Sequence, residues 1–219
     1  MKKKCAKEAV SFIKDGMIIG LGGGSTIAHL ANFVKEKGLD VRVVTPSYDT
    51  EKLCVELGLE VLPLRFVSHV DIAFDGCDEV DRNLYGLKSG GGIHTKEKLI
   101  ANMADDYMLL VDESKVSPNL TFQVPIVLEL LEDSMSYVKA QIEAMGGSFT
   151  LRTASGKYGP LKSDYGQILA DTRFDHIEDP KKLNHQIKAI AGVLDTSLVT
   201  REITKVLIVK EDGFELLEK

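Results

Sequence analysis

From Met17 to Asp112 the chain repeats one theme: a short apolar run, a loop marked by glycine or proline, then apolar residues at helical spacing. "MIIGLG" is apolar throughout, the pattern of a strand buried on both faces. "TIAHLANFVKEKG" follows it and places Ile27, Leu30, Phe33 and Val34 on one helical face, with Gly38 as a stop. Next come the strand "VRVVT", Pro46 and the helix "DTEKLCVELG". The strands "EVLPL", "DIAFD" and "YMLLVD" continue the series, with the helix "KEKLIANMAD" between the last two. Ahead of them all, "KEAVSFIK" predicts a short amphipathic helix ending at Asp15-Gly16. This alternation predicts an α/β fold with a Rossmann-like, mostly parallel sheet covered by helices on both sides. Ligands of such sheets sit beyond the carboxyl ends of the strands, so chemistry is expected in the loops that follow them.

From about Pro125 the rhythm changes. "PIVLELL" predicts a strand, "SMSYVKAQIEAMG" a helix, and "SFTLRTA" and "GQILADTRF" two strands around a glycine-rich turn. "DPKKLNHQIKAI" predicts a helix with Asp179 as its cap and Pro180 at the first helical position. "GVLDTSLV" closes the set as one strand. The order βαββαβ is a ferredoxin-like unit. The chain thus divides into a large α/β domain, residues 1–124 and 203–219, and a smaller α+β domain, residues 125–202. "KVLIVKEDGFELLE" is a hairpin through Glu211-Asp212-Gly213 that rejoins the large domain.

With 219 residues, 44% of them hydrophobic, the chain can fill a core without a metal or disulfide staple. Its net charge of −6 is spread through mixed acids and bases, with no basic run, which argues against a nucleic-acid partner. Three scattered cysteines, Cys5, Cys54 and Cys77, form neither a disulfide framework nor a CxxC pattern and suit a reducing cytoplasm. Cys54 and Cys77 are expected to be small buried fillers. "MKKKCAKEAV" begins like the charged region of a signal peptide, but "SFIKDG" interrupts any apolar run. No stretch approaches the ~18 apolar residues of a membrane span. A soluble, cytoplasmic protein with no membrane partner is expected.

Three loops carry chemistry. "GLGGGST" lies between the first strand and the next helix. A dinucleotide fingerprint would need a glycine where Ser25 stands and an acid near "VTPS", and has neither. A Walker A loop would need Gly-Lys-Ser/Thr, which is also missing. What remains is a cradle of backbone N–H groups from Gly22, Gly23 and Gly24, the Ser25 and Thr26 hydroxyls and a positive helix end, suited to a phosphomonoester. A plain glycine-rich turn is the bland alternative.

The second loop, "FDGCDEVD", crowds Asp75 and Asp78, with Glu79 and Asp81 behind, at a strand's carboxyl end. Repulsion and partial burial are expected to raise the pKa of at least one of them. An EF-hand is ruled out by Cys77 and by the missing Gly-x5-Glu, while a Mg²⁺ held by a few carboxylates stays open. A solvated acidic turn is the other alternative. In the third loop, "GLKSGGGIHTKEKLI", Lys88 precedes Gly90, Gly91 and Gly92. Thr95 is expected to cap a helix with Glu97 in its first turn. An acid there has a structural reading too, through the helix dipole. His94 and Lys96 are expected at the surface, and His29 in a structural place.

Together "GLGGGSTIAHL", "FDGCDEVD", "LKSGGGIHTKEKLI" and "VDESK" resemble ribose-5-phosphate isomerase, type A, in order and spacing nearly end to end. The resemblance implies a cofactor-free aldose–ketose isomerase of the pentose phosphate pathway, with no metal, that takes a small sugar phosphate and works as a homodimer or homotetramer. By similarity Glu97 is the base moving a proton between C1 and C2, and Asp75 helps open the furanose ring. Asp78 and Lys88 polarise the oxygens and stabilise the enediolate. Gly22, Gly23, Gly24, Ser25, Thr26, Gly90, Gly91 and Lys115 would hold the substrate or its phosphate, with Lys2 or Lys3 as a further phosphate contact.

Two departures stand out. The family's first loop usually has a threonine where this chain has Gly23, so one hydroxyl leaves the cradle, about 1.5–3 kcal/mol if nothing replaces it. Ser89 stands where glycine usually follows the lysine, and would be strained if that position needs a positive φ. A related sugar-phosphate isomerase or deaminase, and a non-catalytic sugar-phosphate-binding paralogue, are the competing readings. Retention of Glu97, Asp75, Asp78 and Lys88 together favours catalysis.

Overall fold

The computed structural model describes residues 1–156 and 158–219. The basic N-terminal stretch forms α1 (Lys2–Ala9), followed by a 3₁₀ turn at Val10–Phe12. Then come β1 (Ile18–Leu21), α2 (Ser25–Glu36), β2 (Arg42–Val44), α3 (Tyr48–Glu56) and β3 (Glu60–Val61). The middle holds β4 (Val70–Asp75), β5 (Glu79–Asp81), β6 (Gly86–Leu87), α4 (His94–Met103), β7 (Ala104–Asp112) and β8 (Val116–Ser117). After these lie β9 (Ile126–Leu130), α5 (Met135–Ala144), β10 (Gly147–Leu151), β11 (Ile168–Phe174) and α6 (Pro180–Lys188). The chain closes with β12 (Val193–Thr196), β13 (Leu198–Val199), β14 (Lys205–Val209) and β15 (Phe214–Glu218).

The main sheet has seven strands in the order β15-β14-β7-β4-β1-β2-β3. Every pair is parallel except the β14–β15 hairpin, which joins the sheet through β14 beside β7. Its central strands, β1, β4, β7 and β14, are buried on both faces, as their apolar runs require, while β3 and β15 form exposed edges. Met108 and Leu110 of β7 pack toward α1 and α2, while Tyr107, Leu109 and Val111 face the opposite core with Ile100 and Ala101 of α4. The strand order reverses between β1 and β4: from β1 the chain runs outward to β2 and β3, then returns to place β4 on the other side. Loops leaving the carboxyl ends of these two strands diverge and open a crevice. "GLGGGST" leaves β1, and "DGCD" leaves β4.

A second sheet, in the order β10-β11-β9-β12, is antiparallel throughout. With α5 and α6 it makes the βαββαβ arrangement expected from Pro125 onward, around its own apolar cluster of Leu128, Ile142, Ile168 and Ile187. Asp179 caps α6 by accepting the Lys182 N–H, and Pro180 takes the first helical position.

The sequence did not foretell a third sheet, β13-β6-β5-β8. "GVLDTSLV" is not one strand: it breaks at Ser197, so β12 pairs with β9 and β13 crosses to pair with β6. Ser197 is the pivot. Its N–H donates to the Val127 carbonyl at 2.8 Å, and its own carbonyl accepts the Lys88 N–H at 2.9 Å. Strands of two or three residues are too short to show a period, which is why this layer was hidden. "EVLPL" likewise yields only the two residues of β3 before Pro63 opens a 3₁₀ turn.

Candidate active site

The crevice between the β1 and β4 loops deepens into a cleft of about 500 Å³. One end is cationic and rich in donors. Gly24, at φ +92°, turns the chain from β1 into α2, where no side chain caps the helix. Its first N–H groups are left for an anion, at the positive end of the helix dipole. Gly23, Ser25 and Thr26 line this end. Lys2 reaches it from α1, its Nζ 2.9 Å from Ser25 Oγ, while Lys3 is not among the lining residues. Lys115 lines the cleft as well, its ammonium held by the Cys77 carbonyl at 2.6 Å.

The other end is acidic and buried. Lys88 Nζ lies 2.9 Å from Asp75 Oδ2 and 3.4 Å from Glu97 Oε1, and donates to the Gly76 carbonyl at 2.5 Å. All three side chains are nearly inaccessible to solvent, yet border the cleft. Burial opposes the charge on Lys88, but the Asp75 and Glu97 carboxylates outweigh it and raise its proton affinity. Glu97 is pushed up from 4.5 to about 8, first by burial and then by the Asp75 charge, with Lys88 pulling the other way. No hydrogen-bond donor reaches Glu97 Oε2 among the described residues. The carboxylate is anchored by one oxygen, and the other is buried without a partner.

The crowding expected within "FDGCDEVD" does not form. Glu79 accepts from the Thr121 N–H and the Ser117 hydroxyl, and Asp81 accepts from the Asn83 and Tyr85 N–H groups. Those two carboxylates hold loops together and do not converge with Asp75. The close carboxylate pair is instead Asp75 with Glu97, which come from different strand–loop units. Asp78 is exposed in the cleft, its Oδ2 accepting from Ser89 N–H at 2.7 Å and Gly90 N–H at 2.9 Å. That fixes the turn after Lys88, and Gly90 and Gly91 line the cleft beside it.

Gly22 is not among the residues lining this cleft: a Cβ there would sit 2.1 Å from the Asp75 carboxyl, so glycine leaves room for the acid. Thr95 does not cap α4. The helix starts one residue earlier, at His94, with Ile93 in the cap position. His94 is fully buried rather than exposed, because α4 is covered on both sides. Burial, reinforced by nearby Lys98, holds its pKa down to about 4. Lys96 is half-buried, with its ammonium 4.2 Å from the Tyr165 ring. Ser89 is not strained, since Leu84 and Phe122 are the non-glycine residues with positive φ among those described. Its hydroxyl donates to the Pro125 carbonyl at 2.5 Å and lies 3.3 Å from Ser197 Oγ, tying the Lys88 turn to β9 and β13. Cys54 and Cys77 are buried, and burial pushes their thiols up to about 11 and 12.

Three contributors escaped sequence reasoning. Ser47, which caps α3 by accepting the Thr50 N–H, lines the phosphate-like end with Tyr48 and Asp49. A hydroxyl after the second strand was the available signal. Asp164 reaches the cleft from the β10–β11 connection, where nothing local marks it. Tyr107 of β7 donates from its hydroxyl to Asp75 Oδ2 at 3.1 Å. Within α4, Lys98 Nζ is buried 2.7 Å from Asp195 Oδ1 and also donates to the Thr196 and Leu198 carbonyls. Among the described residues, the grouping with metal-ligand spacing is His69, Asp71 and Asp105. It flanks the amino ends of β4 and β7, at the opposite edge of the sheet.

A family model described as ribose 5-phosphate isomerase A (phosphoriboisomerase A) matches residues 42–213. The chain belongs to this family. A relative from Prochlorococcus marinus (strain MIT 9211), named ribose-5-phosphate isomerase A, is 40% identical over 216 residues, covering 95% of this chain and 90% of its own length. The solved structure of ribose 5-phosphate isomerase A from Methanocaldococcus jannaschii superposes with a TM-score of 0.92 at 37% identity, covering 100% of this chain and 98% of that one. A D-ribose-5-phosphate isomerase solved in complex with phospho-erythronic acid gives a TM-score of 0.93 at 31% identity, covering 100% and 97%. The α/β architecture of the ribose 5-phosphate isomerase A family therefore extends over the whole chain, third sheet and small unit included.

Proposed function

We propose that the chain interconverts D-ribose 5-phosphate and D-ribulose 5-phosphate by moving a proton between C1 and C2 through an enediolate. Glu97 carries this reading: a buried carboxylate with one oxygen held near Lys88 and the other without a partner, at the end of the cleft opposite a phosphate-like cradle. The phosphate sits on the first turn of α2 with Ser25, Thr26, Lys2 and Lys115, which places the sugar's other end against the acidic group. Asp75 assists ring opening. In the open-chain aldose Glu97 takes the C2 proton, and the electron pair flows through a C1–C2 double bond to the carbonyl oxygen. Lys88 stabilises the charge that grows there, and Asp78 with the Gly90–Gly91 turn orients the hydroxyls. Glu97 returns the proton to C1, and a proton passes from O2 to O1, leaving the ketose. A base with a pKa near 8 is matched to neutral or mildly alkaline conditions.

The burial of Asp75, Lys88 and Glu97 in one cluster, with Asp78 exposed in the cleft beside it, supports an enzyme over a binding paralogue. Residues 125–202 are taken as the small domain, supported by the separate core of β9–β12, and the remainder as the large one. A cytoplasmic, dimeric or tetrameric enzyme belongs to the same reading, supported by three free cysteines and by the family resemblance. The test is turnover in D₂O: ribose 5-phosphate gives ribulose 5-phosphate, with deuterium at C1 in the fraction of turnovers in which the Glu97 proton exchanges with solvent before it returns. Absence of turnover, or preference for an amino-sugar phosphate in a substrate panel, overturns it.

A further inference from the structure

Two carboxylates, Asp75 and Glu97, share one ammonium in a buried place, so one of them tends to hold a proton. The donors around each decide which. Asp75 receives three: the Gly76 N–H at 2.8 Å on Oδ1, and both Lys88 Nζ at 2.9 Å and the Tyr107 hydroxyl at 3.1 Å on Oδ2. Those three groups can only donate, the pattern an ionised carboxylate accepts, and the neighbouring Glu97 carboxyl can add to them only when it carries the proton. Glu97 has Lys88 at 3.4 Å on one oxygen and no donor on the other among the described residues. Tyr107 is fully enclosed between β4 and α4, and its own ionisation is pushed far out of reach by burial and by Asp75. Its hydroxyl therefore stays a donor across the working range. The other charged or titratable groups facing the pair are Cys77 and Asp78 from the β4 loop and Lys115. None of these is placed to substitute for that hydroxyl on Oδ2.

We propose that Tyr107 is a positioning residue that holds Asp75 in its anionic form and so makes Glu97 the partner that takes and gives the proton. This deepens the isomerase reading and rests on it. An aromatic ring alone would fill the space. The hydroxyl adds the third donor, and its placement on the same oxygen as Lys88 also fixes the plane of the Asp75 carboxylate against the substrate's ring oxygen.

The test is Tyr107→Phe, which keeps the ring and removes one oxygen. A hydrogen bond to a charged group corresponds to about tenfold in proton affinity. Without it the shared proton moves toward Asp75 and Glu97 ionises more readily. The rising limb of kcat/KM with pH moves down by about one pH unit, kcat falls roughly tenfold, and KM changes by less than about twofold. Installing 3-fluorotyrosine in place of Tyr107, a stronger donor, moves the limb the other way. A ¹³C-carboxyl titration of Glu97 in both variants reads the same displacement without substrate, so it also serves if folding or turnover is compromised. Superimposable pH profiles and titrations in wild type and Tyr107→Phe overturn the proposal while leaving the isomerase intact. A wild-type protein that does not turn over ribose 5-phosphate overturns the isomerase reading instead, and the carboxyl titration then judges Tyr107 on its own.

Discussion

Replacing Glu97, the proposed base, with glutamine removes its carboxylate and, at alkaline pH, makes the protein more stable. Glu97 titrates at about 8 in the fold against an ordinary 4.5, because burial and the Asp75 charge disfavour its ionised form. Between those values the folded chain holds a proton that the unfolded chain has released. Rising pH therefore favours unfolding through that window, and above about 8 the full penalty applies. Each tenfold in proton affinity is about 1.4 kcal/mol, so the penalty reaches up to roughly 5 kcal/mol, already net of the attraction to Lys88. Glutamine has the same shape, can accept from Lys88, and carries no such penalty. In a chain of this length a gain of 1 kcal/mol is roughly 2–4 °C in Tm. Thermal melts of wild type and Glu97→Gln at pH 5, 7 and 9 show a Tm difference that is small at pH 5 and opens to about 10 °C or more at pH 9. The same variant loses about 10²–10⁴ in kcat. A Tm difference that does not change with pH, or a less stable variant at pH 9, would refute the assignment of the buried proton to Glu97.

Gly23→Thr restores a hydroxyl without a clash, since a Cβ there meets Ile93 at 3.6 Å and Ser47 at 3.7 Å, ordinary contact distances. KM for ribose 5-phosphate falls severalfold, and an unchanged or higher value counts against a phosphate cradle short of one donor. His94 is held neutral down to about 4 against an ordinary 6.5, so it withdraws stability as the pH drops through that interval, by roughly 3 kcal/mol at the bottom. Denaturation of His94→Leu at pH 7, 5.5 and 4 shows a flatter acid dependence than wild type; identical slopes would remove His94 from that role. Exhaustive EDTA treatment leaves turnover unchanged, whereas loss restored by Mg²⁺ would move the Asp75–Asp78 loop toward a metal mechanism.

The main sheet was legible because its central strands are buried on both faces and its loops are punctuated by glycine, proline and hydroxyl residues. Those same signals marked Ser25, Thr26, Asp75, Asp78, Lys88 and Glu97. What stayed hidden depends on chain segments far apart in sequence. Tyr107 looks like core filler within "YMLLVD", and its hydroxyl gains meaning only when β7 lies beside β4. Asp164 stands more than sixty residues beyond Glu97, in the connection between β10 and β11. His94 and Thr95 were misplaced because a helix start read from one face cannot show that a second layer covers the other. Ser89, suspected of strain, turned out to use its hydroxyl to fasten the Lys88 turn to β9.

Adjacent residues of α4 answer to different sheets. Glu97 opens into the cleft over the main sheet, and Lys98 is anchored to Asp195 and to the carbonyls beside β13. The strands around Asp195 thus help to seat the helix that carries Glu97. Excising residues 125–202, or exchanging them for a foreign unit of the same topology, would strand the buried Lys98 ammonium one residue from Glu97. Removing one member of such a pair costs about 3–5 kcal/mol. A change at Asp195 would therefore be felt first at Lys98, and through the same helix at its neighbour Glu97.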